Sequence, residues 1–299
     1  MNNRQKGILC ILASAMGFAA MALFVRLCDS FGGEVSSFQK SFFRNAVALI
    51  IAAGVFSKNP RIFRGDIPGR SLGAVALPLL ARGVFGTIGI FANFYALSHI
   101  QIGEAMTLNK TAPFFTVLFS WLLMGERLSL RQALWLMLAF AGAMLVMNPG
   151  FRGADAFPAL CALAGGLGAG VAYVCVHRLG RLDVDSAFVV LFFSAFSCLA
   201  SLPFVLLDFC PMTSAQILIM LGAGAGAAVG QFGVTAAYRL AEPRSIAVFD
   251  YMNVVFTALL GLCFFGQIPD LLSVAGFVLI LSAAVRMYSA GGRGGNAVH

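Results

Sequence analysis

The chain has 299 residues, 60% of them hydrophobic and 11% charged, with a mean hydropathy of +0.90. That composition excludes a soluble domain and describes an integral membrane protein. The formal charge of +8 does not point to nucleic acid, because the 20 Lys and Arg residues are scattered between apolar runs rather than gathered into a stripe with stacking aromatics.

In chain order, the apolar runs predict helices near 7–27, 36–56, 73–98, 102–124, 131–148, 155–177, 186–207, 214–238, 244–265 and 271–289. Their length is about the 20 residues that a helix needs to cross hydrocarbon, and none alternates as a barrel strand would. The expected fold is therefore all-α, with ten transmembrane helices. Arg4 and Lys6 ahead of the first run resemble a signal peptide, with Ala13-Ser14-Ala15 as a cleavage site. The apolar stretch before that site is shorter than the roughly 7 residues that a signal core needs, so the run reads as the first membrane helix. Only 57–72, with Pro60 and Pro68, reads as a real loop, which leaves no room for an extramembrane catalytic or receptor domain. The seven cysteines are odd in number and never spaced CxxC, and read as packing residues rather than disulfides or metal ligands.

With the N-terminus in the cytoplasm, 14 of the 20 basic residues fall inside, only Arg26, Lys40, Arg44 and Arg152 fall outside, and Arg82 and Lys110 lie within helices. The expectation is a multi-pass protein of the inner membrane with both termini cytoplasmic. Residues 108–134 align without gaps on 249–275, an offset of 141. At an offset of 143, Phe94-Tyr95-Ala96-Leu97 meets Ala237-Tyr238-Arg239-Leu240, and at 152, Phe24-Val25-Arg26-Leu27 meets Val176-His177-Arg178-Leu179. Three matches in the same order predict a duplicated unit, 1–149 and 150–299, of five helices each. Five is odd, so the second copy enters the membrane inverted.

Several of these residues resemble a known family. Ala81-Arg82-Gly83 leading to Phe94-Tyr95-Ala96-Leu97, the run from Gly103 to Ser129 with Pro113 and the Gly125-Glu126-Arg127 turn, and Phe42-Phe43-Arg44-Asn45 are similar to the EamA branch of the drug/metabolite transporter superfamily. The second half departs from that pattern, with Val254 where the family often has proline and Gln267 where it has glutamate. The resemblance implies two EamA repeats around a central cavity, and small metabolites as substrates, often amino acids or related compounds leaving the cell.

Charges inside a membrane helix cost about 2.5–3.5 kcal/mol each on insertion scales, so each calls for a partner, water or a function. Arg82 reads as low in its helix and snorkelling to the headgroups. Lys40 and Arg44, one turn apart, hold an anion or snorkel. Lys110 and Asp250 are each about 10 Å deep from opposite faces, which leaves two readings, a salt bridge or opposite charges at two ends of a polar cavity. Around them the candidate cavity residues are Asn93, Tyr95, Asn109, Thr116, Gln231, Tyr238, Tyr251, Asn253 and Thr257, with Arg44 and Arg82 as candidate cavity charges. Such a site suits a zwitterion, with Tyr95, Tyr238 and Tyr251 as aromatic walls; were Arg44 and Arg82 to point inward beside Lys110, that preference would reverse.

The expected function is a secondary transporter exporting a small amphipathic or zwitterionic metabolite by alternating access, driven by protons or an exchanged solute. Alternatives are a flippase for lipid or lipid-linked substrates, a membrane enzyme and a channel. His99, His177 and His299 look isolated, so no catalytic or metal constellation emerges. The glycines of 165–170 and 222–233 match no phosphate loop and read as a small-residue ridge for helix packing, so no cofactor or ATP is implied.

Overall fold

The computed structural model describes residues 1–33, 35–63, 72–100, 102–148 and 156–293. The expected boundary at 149–150, together with Arg64, Pro68, Arg70, Arg152 and His299, lies outside them. Apart from one bridge pair, Phe63 with Val184, the regular structure among the described residues is helical. The helices are α1 (Asn3–Asp29), α2 (Ser37–Lys58), α3 (Leu72–His99), α4 (Ile102–Asn109), α5 (Ala112–Met124), α6 (Leu130–Met147), α7 (Ala156–Arg181), α8 (Ser186–Leu207), α9 (Ser214–Leu240), α10 (Pro243–Ile246), α11 (Met252–Phe265) and α12 (Leu271–Arg293). Nine described stretches are long and apolar enough to cross a membrane, and the chain is a multi-pass membrane protein.

Their starts follow local chemistry. Asn2, Ser129 and Thr213 each accept from the backbone N–H three residues on, while Gln5, Gln132 and Gln216 reach back to the cap, so three helix ends close reciprocally. Asp270 caps α12 through the Ser273 N–H at 2.8 Å, and the Ser273 hydrogen bonds hold its exposed carboxyl below the usual carboxylate range.

Two expected helices are broken. Residues 102–124 form α4 and α5, interrupted at Lys110 and Thr111. Pro113 sits in the first turn of α5, where its missing N–H is tolerated but a continuous helix is not. Residues 244–265 are instead α10, a 3₁₀ turn over Ala247–Tyr251, and α11. With Val254 at the position matching Pro113, that segment tightens rather than parts. Both segments end on a left-handed glycine, Gly125 at φ +73° and Gly266 at φ +62°, 141 positions apart.

The most extensive packing pairs α1 with α9, α3 with α7, α6 with α12 and α2 with α8, each joining the N-terminal to the C-terminal half of the chain. Glycine sets the closest approaches: a Cβ on Gly17 would lie 2.7 Å from the Gly230 nitrogen and 2.8 Å from the Gly226 oxygen. The expected ridge of Gly222, Gly226 and Gly230 faces α1.

At the end where α1 begins and α12 finishes, the terminal end, Arg4 ties α1 to the Met287 carbonyl of α12 at 2.6 Å, and a large apolar core gathers Ile8, Ile11, Val176, Leu179, Val234 and Ile246. At the far end, Lys40 pairs with Asp29 at 2.7 Å and Gln39 donates to the Cys210 carbonyl at 2.7 Å. The cavities lie on this second side.

Candidate functional site

A cavity of about 930 Å³ runs inward from a rim of Arg26, Asp29, Lys40 and Gln267 to Arg44, Asn93, Asn109 and Lys110. A second, of about 220 Å³, shares those four inner residues and reaches deeper to Arg82, Tyr173, Gln231, Asp250 and Asn253. The deeper cavity is lined at both helix breaks, by Asn109, Lys110 and Asp250, and the larger one at the first break alone. Discontinuous helices leave backbone groups unpaired within the membrane, which is tolerated where they line a cavity or are buried in protein.

Lys110 Nζ lies 3.5 Å from Asp250 Oδ2, with the two side chains 14% and 12% exposed. Of the two expected arrangements, the structure adopts the ion pair. The chain breaks make it reachable: the Tyr251 phenol donates to the Lys110 carbonyl at 2.9 Å, drawing the two interrupted segments together.

Arg82 does not snorkel. It is 3% exposed, donates from Nη2 to Gln231 Oε1 at 2.9 Å, and its guanidinium carbon lies 3.5 Å from the Phe193 ring centroid. A buried amide acceptor and an aromatic face compensate the desolvated cation better than distant headgroups would. Arg44 is likewise buried, with Met21 Sδ 3.3 Å from Nη1. The Nε of each has no hydrogen-bond partner among the described residues, and neither arginine has a carboxylate partner there. The wall of the deeper cavity thus carries three cations, Arg44, Arg82 and Lys110, against one carboxylate, Asp250.

The structure brings Asn93, Asn109, Lys110, Gln231, Asp250 and Asn253 together with both arginines, and puts Thr257 in the outer cavity. It does not bring in the rest. Thr116 is fully buried and turns back to the Ala112 carbonyl at 2.8 Å. Tyr95 is 39% exposed and stacks on His99 with centroids 4.0 Å apart. Tyr238 and Tyr251 are fully buried in the core, so the expected three-tyrosine wall is replaced by Tyr173, Phe18 and Phe193. Helical spacing identified the polar stripes but not which tyrosine their curvature exposes.

His177 is not isolated. It is 4% exposed, with Nδ1 2.6 Å from the Tyr238 carbonyl and Nε2 2.8 Å from Glu126 Oε1, and Ser120 donates to Glu126 Oε2 at 2.5 Å. The repeat alignment pairs His177 with Val25 and so carries no hint of this contact. The Gly125-Glu126-Arg127 turn was its visible half.

Residues 5–148 match the EamA-like transporter family. Over those residues the chain is EamA-like. Consistent with this, it is 28% identical to the pseudopaline exporter CntI of Pseudomonas aeruginosa (strain UCBPP-PA14) over 95% of this chain and 96% of that protein. It is 29% identical to a riboflavin transporter of Rhizobium johnstonii over 69% and 68% of the two chains, and 24% identical to solute carrier family 35 member G1 of Mus musculus over 92% and 76%. A solved crystal structure at 21% identity superposes with a TM-score of 0.76, covering 94% of this chain and 98% of the other. These similarities indicate transporters rather than enzymes.

Proposed function

We propose that this protein is a secondary transporter that exports a small carboxylate-bearing metabolite by alternating access. An amino acid derivative with more carboxylates than amines fits best. The observation that carries this reading is the excess of buried positive charge: Lys110 is offset by Asp250, whereas Arg44 and Arg82 have no anionic partner among the described residues. A purely zwitterionic ligand would leave that excess standing; a ligand carboxylate compensates it through charge-assisted hydrogen bonds. The ligand's amine would lie toward Asp250 and its carboxylates toward the arginines, with Asn93, Asn109, Gln231 and Asn253 completing the polar contacts.

The architecture in this reading is ten crossings in two inverted five-helix units, 1–149 and 150–299, α4 with α5 and α10 with α11 each making one broken crossing. The repeat-related breaks, the paired glycine caps and the half-to-half packing support it. The bias of basic residues supports a cytoplasmic terminal end, so the cavity faces outward. The names of similar proteins, an exporter among them, support small-metabolite export.

Metabolite profiling of the medium of a deletion strain against an overproducing strain tests this. The expected result is one or a few small carboxylate-bearing compounds that rise with expression; enrichment of lipids or neutral solutes alone would refute it.

A further inference from the structure

The hydrogen-bonding valence of His177 fixes how many protons its site holds. The carbonyl of Tyr238 only accepts, so Nδ1, 2.6 Å away, must carry hydrogen. That carbonyl lies within the last four of α9, which ends at Leu240 and leaves it without the usual helical donor. On the other side, Nε2 faces Glu126 Oε1 at 2.8 Å, while Ser120 already donates to Oε2. Either the imidazole is doubly protonated beside a carboxylate, or a neutral imidazole accepts from a carboxylic acid. Both arrangements contain one proton more than neutral histidine plus ionised glutamate. Without that proton, a lone pair on one ring nitrogen would point at an oxygen.

This cluster joins the halves of the molecule, with Glu126 and Ser120 from the first and His177 and Tyr238 from the second. It does so at the terminal end, opposite the mouth of the cavity. Its counterpart at the far end is Gln267, 141 positions after Glu126, which accepts from Arg26 Nη1 at 3.2 Å in an exposed setting. An amide and a guanidinium keep their charge states across the neutral range, so only one of the two latches can take up a proton.

We propose that the Glu126–His177 pair is the proton-binding site of this transporter, holding the terminal end closed while protonated and releasing one proton to that side when it opens. The proposal rests on the alternating-access reading and makes its terminal gate sensitive to protons. The proton leaves to water and what remains is a neutral imidazole and a carboxylate, so the closed state binds one proton more than the open state and acid favours closure. The other charged or titratable groups on the elements that carry the cluster are Tyr173, Cys175, Arg178 and Arg181 on α7, Arg239 and the Tyr238 phenol on α9, Arg127 beside Glu126, and Arg244 with Glu242. Guanidinium groups stay charged and phenols and thiols stay protonated near neutral pH, and the exposed Glu242 carboxylate is paired with Arg244 at 2.6 Å.

The test measures spin-label distances across the terminal end in reconstituted protein, with the native cysteines replaced and labels at Leu130→Cys and Arg181→Cys. No substrate is needed. Between pH 8 and pH 6 the ratio of open to closed populations should fall about tenfold or more, the one-proton limit being tenfold per pH unit. Glu126→Gln, whose amide can donate to Nε2 while accepting from Ser120, should stay closed at both pH values. His177→Gln, which cannot bridge both acceptors, should favour the open state with no pH response. Two populations whose ratio ignores pH, or wild-type pH dependence retained in either variant, would overturn the proton site and leave alternating access standing. A single distance at every pH in all three proteins would overturn both.

Discussion

The phenol of Tyr251 donates to the backbone carbonyl of Lys110 at 2.9 Å, and the two residues stand 141 positions apart, the offset that aligns the two halves of the chain. Two sites of helix interruption thus touch each other beside the Lys110–Asp250 pair. Tyr251→Phe removes this one bond. Interhelical hydrogen bonds in membranes average about 0.6 kcal/mol, so thermal unfolding in detergent should show a small loss of stability with the fold retained. A loss of several kcal/mol would mean that the contact organises the whole break.

The ion pair makes a different prediction for single and double changes. Lys110→Gln or Asp250→Asn alone leaves one buried charge unpaired and should cost about 3–5 kcal/mol of stability, seen as less folded protein. The double variant should recover folded protein while export remains lost. Wild-type export by the double variant would make the pair purely structural.

Much of the fold was legible because membrane thickness imposes run length. Nine described apolar stretches long enough to cross a membrane and the packing glycines of α9 follow from that constraint and from small-residue spacing. The breaks at 110–111 and 247–251 were less legible, since an apolar run reads the same whether its backbone is continuous or not. Asn93, Asn109, Gln231, Asp250 and Asn253, which line the deeper cavity, carry the polar spacing visible in the sequence. Arg82 was misplaced because length alone allows it to snorkel; only its contacts with Gln231 and Phe193 reveal the inward orientation. His177 was missed because its partner is 51 residues away in sequence.

Once the exported compound is identified, Arg82→Gln should lower its export at least about tenfold, equivalent to 1.4 kcal/mol. Arg82→Lys, which keeps the charge but loses the planar fork, should fall between the two. Initial efflux rates at matched protein levels decide this, and equal rates for wild type and Arg82→Gln would remove the arginine from the site.

Close helix approach gives a stability prediction away from the cavity. A Cβ on Gly168 would lie 2.6 Å from the Phe85 carbonyl oxygen, which is backbone and cannot swing aside. Gly168→Ala should therefore cost about 1–3 kcal/mol by overpacking, read as a lower melting temperature. Gly54→Ala, with open space around the added carbon, is the control and should melt like wild type.

The most direct test of a cation-rich cavity open on the outer side is chemical labelling of Asn93→Cys, in protein otherwise free of cysteine, with membrane-impermeant thiosulfonates applied to intact cells. Two unbalanced charges about 10 Å away at an effective dielectric of about 20 shift a unit charge by a few kcal/mol. The anionic reagent should therefore react about tenfold or more faster than a cationic one of similar size, and the preference should shrink when Arg44 and Arg82 are both changed to Gln. Faster reaction of the cationic reagent, or no labelling from outside, would contradict the account.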